Sequence, residues 1–259
     1  MQLTSTKNPV LQAIRRAAAA GRPTEDGLIV AEGPHLVEEA SGGEWQIAQV
    51  FATARARARH SKLLLKVDAE TVEVSERAFA STAATDSTQE VLALMRPRHW
   101  SWKDLLGARA LLVVLDGIQD PGNAGTIVRS AEAFGATGVV FLKGCVRVAN
   151  GKLLRAAAGS MFRVPFLEAI RVEEFLEQAR LAGVCLYALS THAPTTLDDA
   201  DLQTRCALAV GSEGAGMSRE LLAAAQAVSV PTVKVESLNA ATACSIALFE
   251  AHRQRNAAQ

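Results

Sequence analysis

The sequence predicts an α/β protein in two parts: a small N-terminal α/β domain and a larger C-terminal domain whose mainly parallel sheet is covered by helices on both faces. Three observations carry this. Strand-length apolar runs alternate with helical segments through residues 109–259. Those runs are continuously apolar instead of alternating with polar residues, as expected of strands buried on both faces. Between the halves, MRPRHWSWKDLLG (95–107) breaks both apolar periods with Pro97, two tryptophans and mixed charge. The expected division is therefore residues 1–96, a linker at 97–108, and residues 109–259. A chain of 259 residues is long enough for two domains of ordinary size, at roughly 150 residues each.

In the N-terminal part, Asn8-Pro9 opens a helix that ends near Gly21. GLIVAEG (27–33) reads as a buried strand, PHLVEEAS (34–41) as a helix with proline at its first position, and WQIAQVFAT (45–53) as another strand. Residues 76–95 combine a helical stretch, a polar Ser/Thr segment and VLALM. In the C-terminal part, strand ALLVVL (110–115) leads through a loop to helix AGTIVRSAEAF (124–134), and GVVFL (138–142) follows. A helix near 150–158, helix VEEFLEQARLAG, strands VCLYALS and CALAVG, helix SRELLAAA, strand AVSV and a last helix near 239–254 complete the order.

Composition narrows the function. Hydrophobic residues make up 49% and charged residues 21%, which excludes a disordered chain. Lys plus Arg and Asp plus Glu are both 27, so attraction to a polyanion must come from local clusters. Cys145, Cys185, Cys206 and Cys244 form no CxxC pair, arguing against a zinc ribbon or disulfide framework and for a reducing compartment. No apolar run approaches the roughly 20 residues that span a bilayer, and the N-terminus lacks a leader pattern. The expectation is a soluble cytoplasmic protein without a membrane partner.

Ligands of parallel α/β sheets gather at the carboxyl ends of strands, which singles out three loops. DGIQDPGNAGTIVRSAEAFGA (116–136) offers Asn123 as a helix cap, Gly125 for close approach to the first turn, and Arg129 six residues beyond Asn123. GSEGAGMSREL (211–221) has three glycines in six residues around Glu213, but neither dinucleotide nor phosphate-loop order. VSVPTVKVESLNAATACSIALFEAHRQ (228–254) places Ser237 and Asn239 before an alanine-rich helix, where either can be an N-cap. Each feature alone has an ordinary structural reading: a cap, a solvated carboxylate, a surface arginine.

Taken in order, DPGNAGTIVRSAEAFGA, VGSEGAGMS and VESLNAATA resemble the three signature motifs of the SpoU (TrmH-like) RNA ribose methyltransferases of the SPOUT superfamily. STKNPVLQAIRR with IVAEGPHLVEEA is similar to the family's N-terminal, L30e-like substrate-binding domain. The resemblance implies a C-terminal trefoil knot, S-adenosylmethionine as methyl donor, and transfer to a ribose 2′-hydroxyl of structured RNA, with ribosomal RNA favoured over transfer RNA. It also implies a homodimer joined through the knotted domain. By the same carry-over, Asn123, Arg129, Glu213, Ser237 and Asn239 are catalytic residues, and Gly211, Val230, Leu238, Ser190 and Thr191 hold the cofactor, largely by backbone groups. A guanidinium stays charged at any physiological pH, so Arg129 is assigned an electrostatic role on an RNA phosphate and on the developing oxyanion, with Glu213 and Asn123 holding its fork. Thr232, Lys234 and Ala241 depart from the usual family pattern at the pocket edge.

Two basic clusters are RNA-binding candidates. Lys143, Arg147, Lys152, Arg155 and Arg163 fall in a stretch, 133–167, without a carboxylate; the alternative is a helix face paired with acids from elsewhere. RARARH (55–60) puts Arg55, Arg57 and Arg59 on alternate positions, which a strand would align and a loop would scatter. Competing readings are a noncatalytic RNA-binding or ribosome-assembly factor of the same fold, and a metal-dependent hydrolase using Asp116 and Asp120. The second lacks a ligand set with defined geometry, so no metal is expected.

Overall fold

The computed structural model describes residues 2–83, 89–191 and 193–257. They form two compact units, Met1–His99 with Arg147–Arg163, and Trp100–Val146 with Val164–Gln259. The polar Ser/Thr stretch at 84–88 lies outside the described residues.

The first unit contains β1 (Gln2–Leu3), α1 (Pro9–Ala20), β2 (Ile29–Glu32), α2 (Pro34–Ser41), β3 (Gln46–Ala52), α3 (Ala54–Arg59), α4 (Ser61–Leu64), β4 (Thr71–Val74), α5 (Glu76–Ala80) and β5 (Val91–Arg96). Its mixed sheet runs β1-β4-β3-β5-β2, with β5 antiparallel to both neighbours. Asn8 caps α1 by accepting from Val10 and Leu11, and Gly21 closes it in the left-handed region at φ 58°. Leu11 and Ile14, one turn apart, bury against Phe51, Phe79 and Leu92. RARARH is neither strand nor loop: five of its six residues complete α3, which Thr53 caps. The segment Arg147–Arg163, which the sequence division puts in 109–259, packs with the first unit. Its helix α8 (Gly151–Ala157) is followed by Phe162, whose ring meets Trp45 edge-on at 5.1 Å. Gly43 lies so close to Phe162 that a Cβ there would stand 2.9 Å from the Phe162 carbonyl oxygen.

The second unit contains α6 (Trp102–Leu105), β6 (Leu111–Asp116), α7 (Pro121–Ala133), β7 (Gly138–Leu142), β8 (Phe166–Ile170), α9 (Val172–Leu181), β9 (Cys185–Leu189), β10 (Thr195–Thr196), β11 (Cys206–Gly211), α10 (Arg219–Ala224), β12 (Gln226–Ser229) and α11 (Ala240–Ala257). All seven strands are parallel, in the order β10-β12-β9-β11-β6-β7-β8. Strand side chains alternate between the two faces. Leu112, Val114, Ala207 and Ala209 accordingly pack with Leu105, Phe175 and Leu221 from α6, α9 and α10. α7 and α11 pack against each other, α11 against β11 and α7 against β7.

Two sequence expectations change here. Residues of the proposed linker are tied down: Arg98 pairs with Glu44, Trp100, Trp102 and Leu105 pack in the core of the second unit, and the Trp102 indole N–H donates to Glu174 at 3.4 Å. Packing two half-buried indoles outweighs the local Pro97 signal. β8 was not expected, because FLEAI buries fully only Phe166 and carries Ala169 at φ 59°. Among the described residues, no helix is long and apolar enough to cross a membrane.

From β6 the chain builds outward through β7 and β8, then returns to the other side of β6 for β9, β11 and β12. The direction of winding therefore reverses between β6 and β11, which pair in register from Cys206 with Leu111 to Gly211 with Asp116. In open parallel sheets, such a reversal opens a crevice at the strands' carboxyl ends.

Candidate active site

The loops after β6 and β11 leave the sheet side by side at this crevice. After β6, Asp120 caps α7: its Oδ1 accepts the Asn123 backbone N–H at 2.7 Å. This corrects the reading of Asn123 as the cap and leaves its side-chain amide available. Asn123 Nδ2 donates to Glu213 Oε1 at 3.1 Å. At the start of α11, Asn239 rather than Ser237 is the cap, with Oδ1 accepting from Ala241 and Thr242. Its Nδ2 donates to Glu213 Oε1 at 2.7 Å and to Asn123 Oδ1 at 3.0 Å. Three residues from three distant loops thus close a hydrogen-bonded ring, with two N–H donors on one carboxylate oxygen.

Glu213 also lines a cavity of about 360 Å³, within the usual range for small-molecule sites. Ser190 and Thr191 follow β9, Gly211 ends β11, and Val230 and Leu238 follow β12; all five line the cavity, as does Ser237. Sequence reasoning missed the apolar wall of Leu189, Val210, Met217 and Leu222, and the carboxylate of Glu236. The strand-end apolar residues carry no motif, and only their position beside the loops identifies them. Gly211 has a steric reason to be glycine: a Cβ would stand 2.5 Å from the Gly216 carbonyl carbon and 2.6 Å from the Met217 nitrogen. The 212–216 loop folds back on that space, with Ser212 and Gly216 exchanging backbone hydrogen bonds at 3.2 and 2.9 Å. Asp116 anchors the loop's far end by accepting the Ser218 N–H at 2.6 Å.

Asp116 and Asp120 are therefore each bonded to a backbone amide. Of the pocket-edge departures, Thr232 lines the cavity and donates to the Val235 carbonyl at 2.7 Å, Lys234 is exposed, and Ala241 is buried in the first turn of α11. Burial pushes the thiols of Cys145 and Cys206 up to about 11 and that of Cys244 up to about 12. All three stay protonated at neutral pH, which leaves them poor nucleophiles.

Arg129 does not join the ring. Six residues along a helix turn the side chain by about 240° from Asn123, so the two cannot share a face. Arg129 is exposed, its side chain makes no hydrogen bond among the described residues, and the expected clamp by Glu213 and Asn123 is replaced by their bonds to Asn239. The basic clusters also divide. Arg55 is paired with Glu90 and Arg57 with Glu73, while Arg163 donates to Glu39 at 2.7 Å. Arg59, Lys143, Arg147, Lys152 and Arg155 are exposed and outside any ion pair among the described residues. Lys143 lies in the second unit and the other four in the first.

The SpoU rRNA Methylase family matches residues 110–249, and the MRM3-like substrate binding domain matches residues 8–93. An uncharacterized tRNA/rRNA methyltransferase of Synechocystis sp. is 32% identical over 99% of this chain and 95% of its own length. The 23S rRNA (guanosine(2553)-2′-O)-methyltransferase RlmP of Bacillus subtilis is 30% identical over 96% of this chain and 98% of its own. The AdoMet-bound rRNA methyltransferase from Sinorhizobium meliloti superposes with a TM-score of 0.85 at 29% identity, covering 98% of this chain and 97% of that one. Agreement along both units, and not in the three loops alone, places the protein: the chain belongs to the SpoU rRNA methylase family.

Proposed function

We propose that this protein transfers a methyl group from S-adenosylmethionine to a ribose 2′-hydroxyl of ribosomal RNA, with 23S rRNA the first choice. The observation that carries this reading is the closed ring of Asn123, Glu213 and Asn239 at a cavity lined by glycine, strand-end apolar residues and loop backbone. That cavity fits the cofactor: Leu189, Val210, Met217 and Leu222 form an apolar wall for an adenine ring, and Gly211 lets the 216–217 backbone pack closely at the end of β11. When bound, S-adenosylmethionine supplies a methyl group already activated on a sulfonium, so alignment and proton removal are what remain for the protein.

Glu213 receives both ring donors on Oε1, leaving Oε2 as the oxygen that accepts a hydrogen bond from the 2′-hydroxyl. Asn123 and Asn239 fix the carboxylate's orientation. Arg129 serves as a permanent cation for the ribose phosphate and for charge growing on the 2′-oxygen. It approaches from a face of α7 other than Asn123's, which a homodimer joined along α7 and α11 provides. Supporting that face are Ile246 and Phe249 of α11, 38% and 52% exposed, with Phe134 against Phe249 at 5.8 Å. Mixing Arg129→Ala and Glu213→Gln chains tests this: recovered turnover means the two groups meet across the dimer, and no recovery means each acts within its own protomer. The strand order around β11 and the convergence of the loops after β9, β11 and β12 support reading the C-terminal segment as a trefoil knot. A cytoplasmic setting accords with four unpaired cysteines.

The activity is tested by incubating the purified chain with methyl-labelled S-adenosylmethionine and unmodified transcripts of 23S rRNA and tRNA. Label recovered as a 2′-O-methylnucleoside from the 23S transcript is expected. Label on a base, on tRNA alone, or on neither RNA contradicts the proposal.

A further inference from the structure

The first unit has a second concavity, of about 600 Å³, between the exposed side of α2 and the turn joining α3 to α4. His35 and Glu38 line it from α2, and Arg59, His60, Lys62 and Lys66 from the opposite wall. One carboxylate thus faces three basic side chains and two imidazoles. Arg59, Lys62 and Lys66 are exposed, and none is in an ion pair or side-chain hydrogen bond among the described residues. The contrast within α3 is informative, because Arg55 and Arg57 on the same helix are neutralised by Glu90 and Glu73. Of the three arginines of α3, Arg59, where the groove begins, is the one without an ion pair among the described residues.

The opposite wall is held by backbone bonds. His60 ends α3 by donating to the Ala56 carbonyl at 2.8 Å and starts α4 by accepting from Leu64 at 3.0 Å. Arg59 and Lys62 are therefore presented from a turn fixed on both sides. Lys66 follows Lys62 by four residues, just past the end of α4. An open groove with three basic side chains on one wall suits a phosphate chain.

We propose that this groove seats the sugar-phosphate backbone of the RNA substrate, with Arg59, Lys62 and Lys66 as phosphate ligands and Glu38 as an opposing charge that moderates affinity. The inference rests on the RNA methylation reading and adds to it a phosphate-binding surface in the first unit.

The test uses the full chain carrying Arg59→Gln, Lys62→Gln and Lys66→Gln together, with a separate Glu38→Gln chain. RNA binding to an unmodified 23S rRNA transcript is measured across a salt series, alongside methyl transfer and S-adenosylmethionine affinity. The triple variant should raise KM for RNA about tenfold or more and flatten the slope of log K against log salt by about 2–3. Its S-adenosylmethionine affinity should match wild type, since that pocket lies in the second unit. Glu38→Gln should tighten RNA binding about threefold. A wild-type KM and salt slope in the triple variant overturn the groove while leaving the methylation reading intact. Absence of methyl transfer by the wild-type chain rejects that reading instead, and the salt-dependent binding comparison still decides the groove. If the triple variant does not fold, Glu38→Gln alone decides: unchanged or weaker RNA binding overturns the proposal.

Discussion

The two units treat charged side chains in opposite ways. At the crevice of the second unit, Glu213 is held by Asn123 and Asn239, and Asp116 and Asp120 by backbone amides. On the groove of the first unit, Arg59, Lys62 and Lys66 form no ion pair among the described residues, and Glu38 is the one carboxylate beside them. A carboxylate that must meet one hydroxyl in one orientation gains from partners that fix it beforehand. A cation that must meet a flexible polyanion gains from not being committed to an internal ion pair. The arginines repeat the lesson within one unit. Arg129 is exposed, whereas Arg255 is 8% exposed and donates to the carbonyls of Leu202, Arg109, Ala110 and Thr204 at 2.6–3.0 Å. The same side chain is an available charge on α7 and a staple between α11 and the entrances of β6 and β11.

Changing Arg129 tests the catalytic side of this contrast most strongly. Arg129→Lys keeps a charge but loses the planar fork; turnover should fall by about 10²–10³, with RNA affinity within a few-fold of wild type. Wild-type turnover would remove Arg129 from the chemistry. Arg255→Ala should destabilise the protein by about 3 kcal/mol, because several buried carbonyls lose a charged donor together. Urea unfolding measures this, and a change below about 1 kcal/mol would mean water replaces the guanidinium easily.

Asn239→Ala separates cap from catalysis. Losing the N-cap should cost about 1 kcal/mol of stability, while loss of its two bonds to the ring should lower turnover at temperatures where the variant is fully folded. Wild-type turnover there would make Asn239 a cap alone.

Glu90→Gln gives the smallest effect and sharpens the charge comparison. The Arg55 guanidinium, followed by the Thr53 hydroxyl, holds the Glu90 carboxyl below its ordinary value of 4.5. A carboxyl with a lowered folded-state pKa contributes stability above that ordinary value and loses it as pH falls through the lowered one. The wild-type chain should therefore lose stability below about pH 4.5 more steeply than Glu90→Gln. The same substitution leaves Arg55 with Glu76 alone, at 4.0 Å, and should tighten RNA binding slightly. An identical acid limb in both proteins would show that this pair adds nothing to stability.

Much of this architecture was legible in the residues. The Pro9 and Pro34 helix starts, the Gly21 stop and the continuously apolar strands report local rules that tertiary packing did not override. The three motif loops likewise pointed to one place, because each follows a parallel strand. What was not legible depended on partners distant in sequence. Nothing in DPGNAGTI says that Asp120 takes the cap and so frees Asn123. Nothing in VESLN says that one asparagine both caps a helix and bonds to two residues from other loops. The alternation in RARARH suggested a strand or a loop, but the Thr53 cap and alanine at every second position favour a helix. The division of its arginines into paired and unpaired became visible only once Glu73 and Glu90 had positions.

The central claim, that the loops after β9, β11 and β12 form the S-adenosylmethionine pocket, is tested most directly by calorimetric titration of the cofactor into wild-type and Gly211→Ala protein. The account predicts one site per chain in the wild type, and affinity weakened beyond detection or by at least about tenfold in the variant, where a methyl group collides with the 216–217 backbone. No heat of binding in the folded wild type, or equal affinity in both proteins, would contradict it.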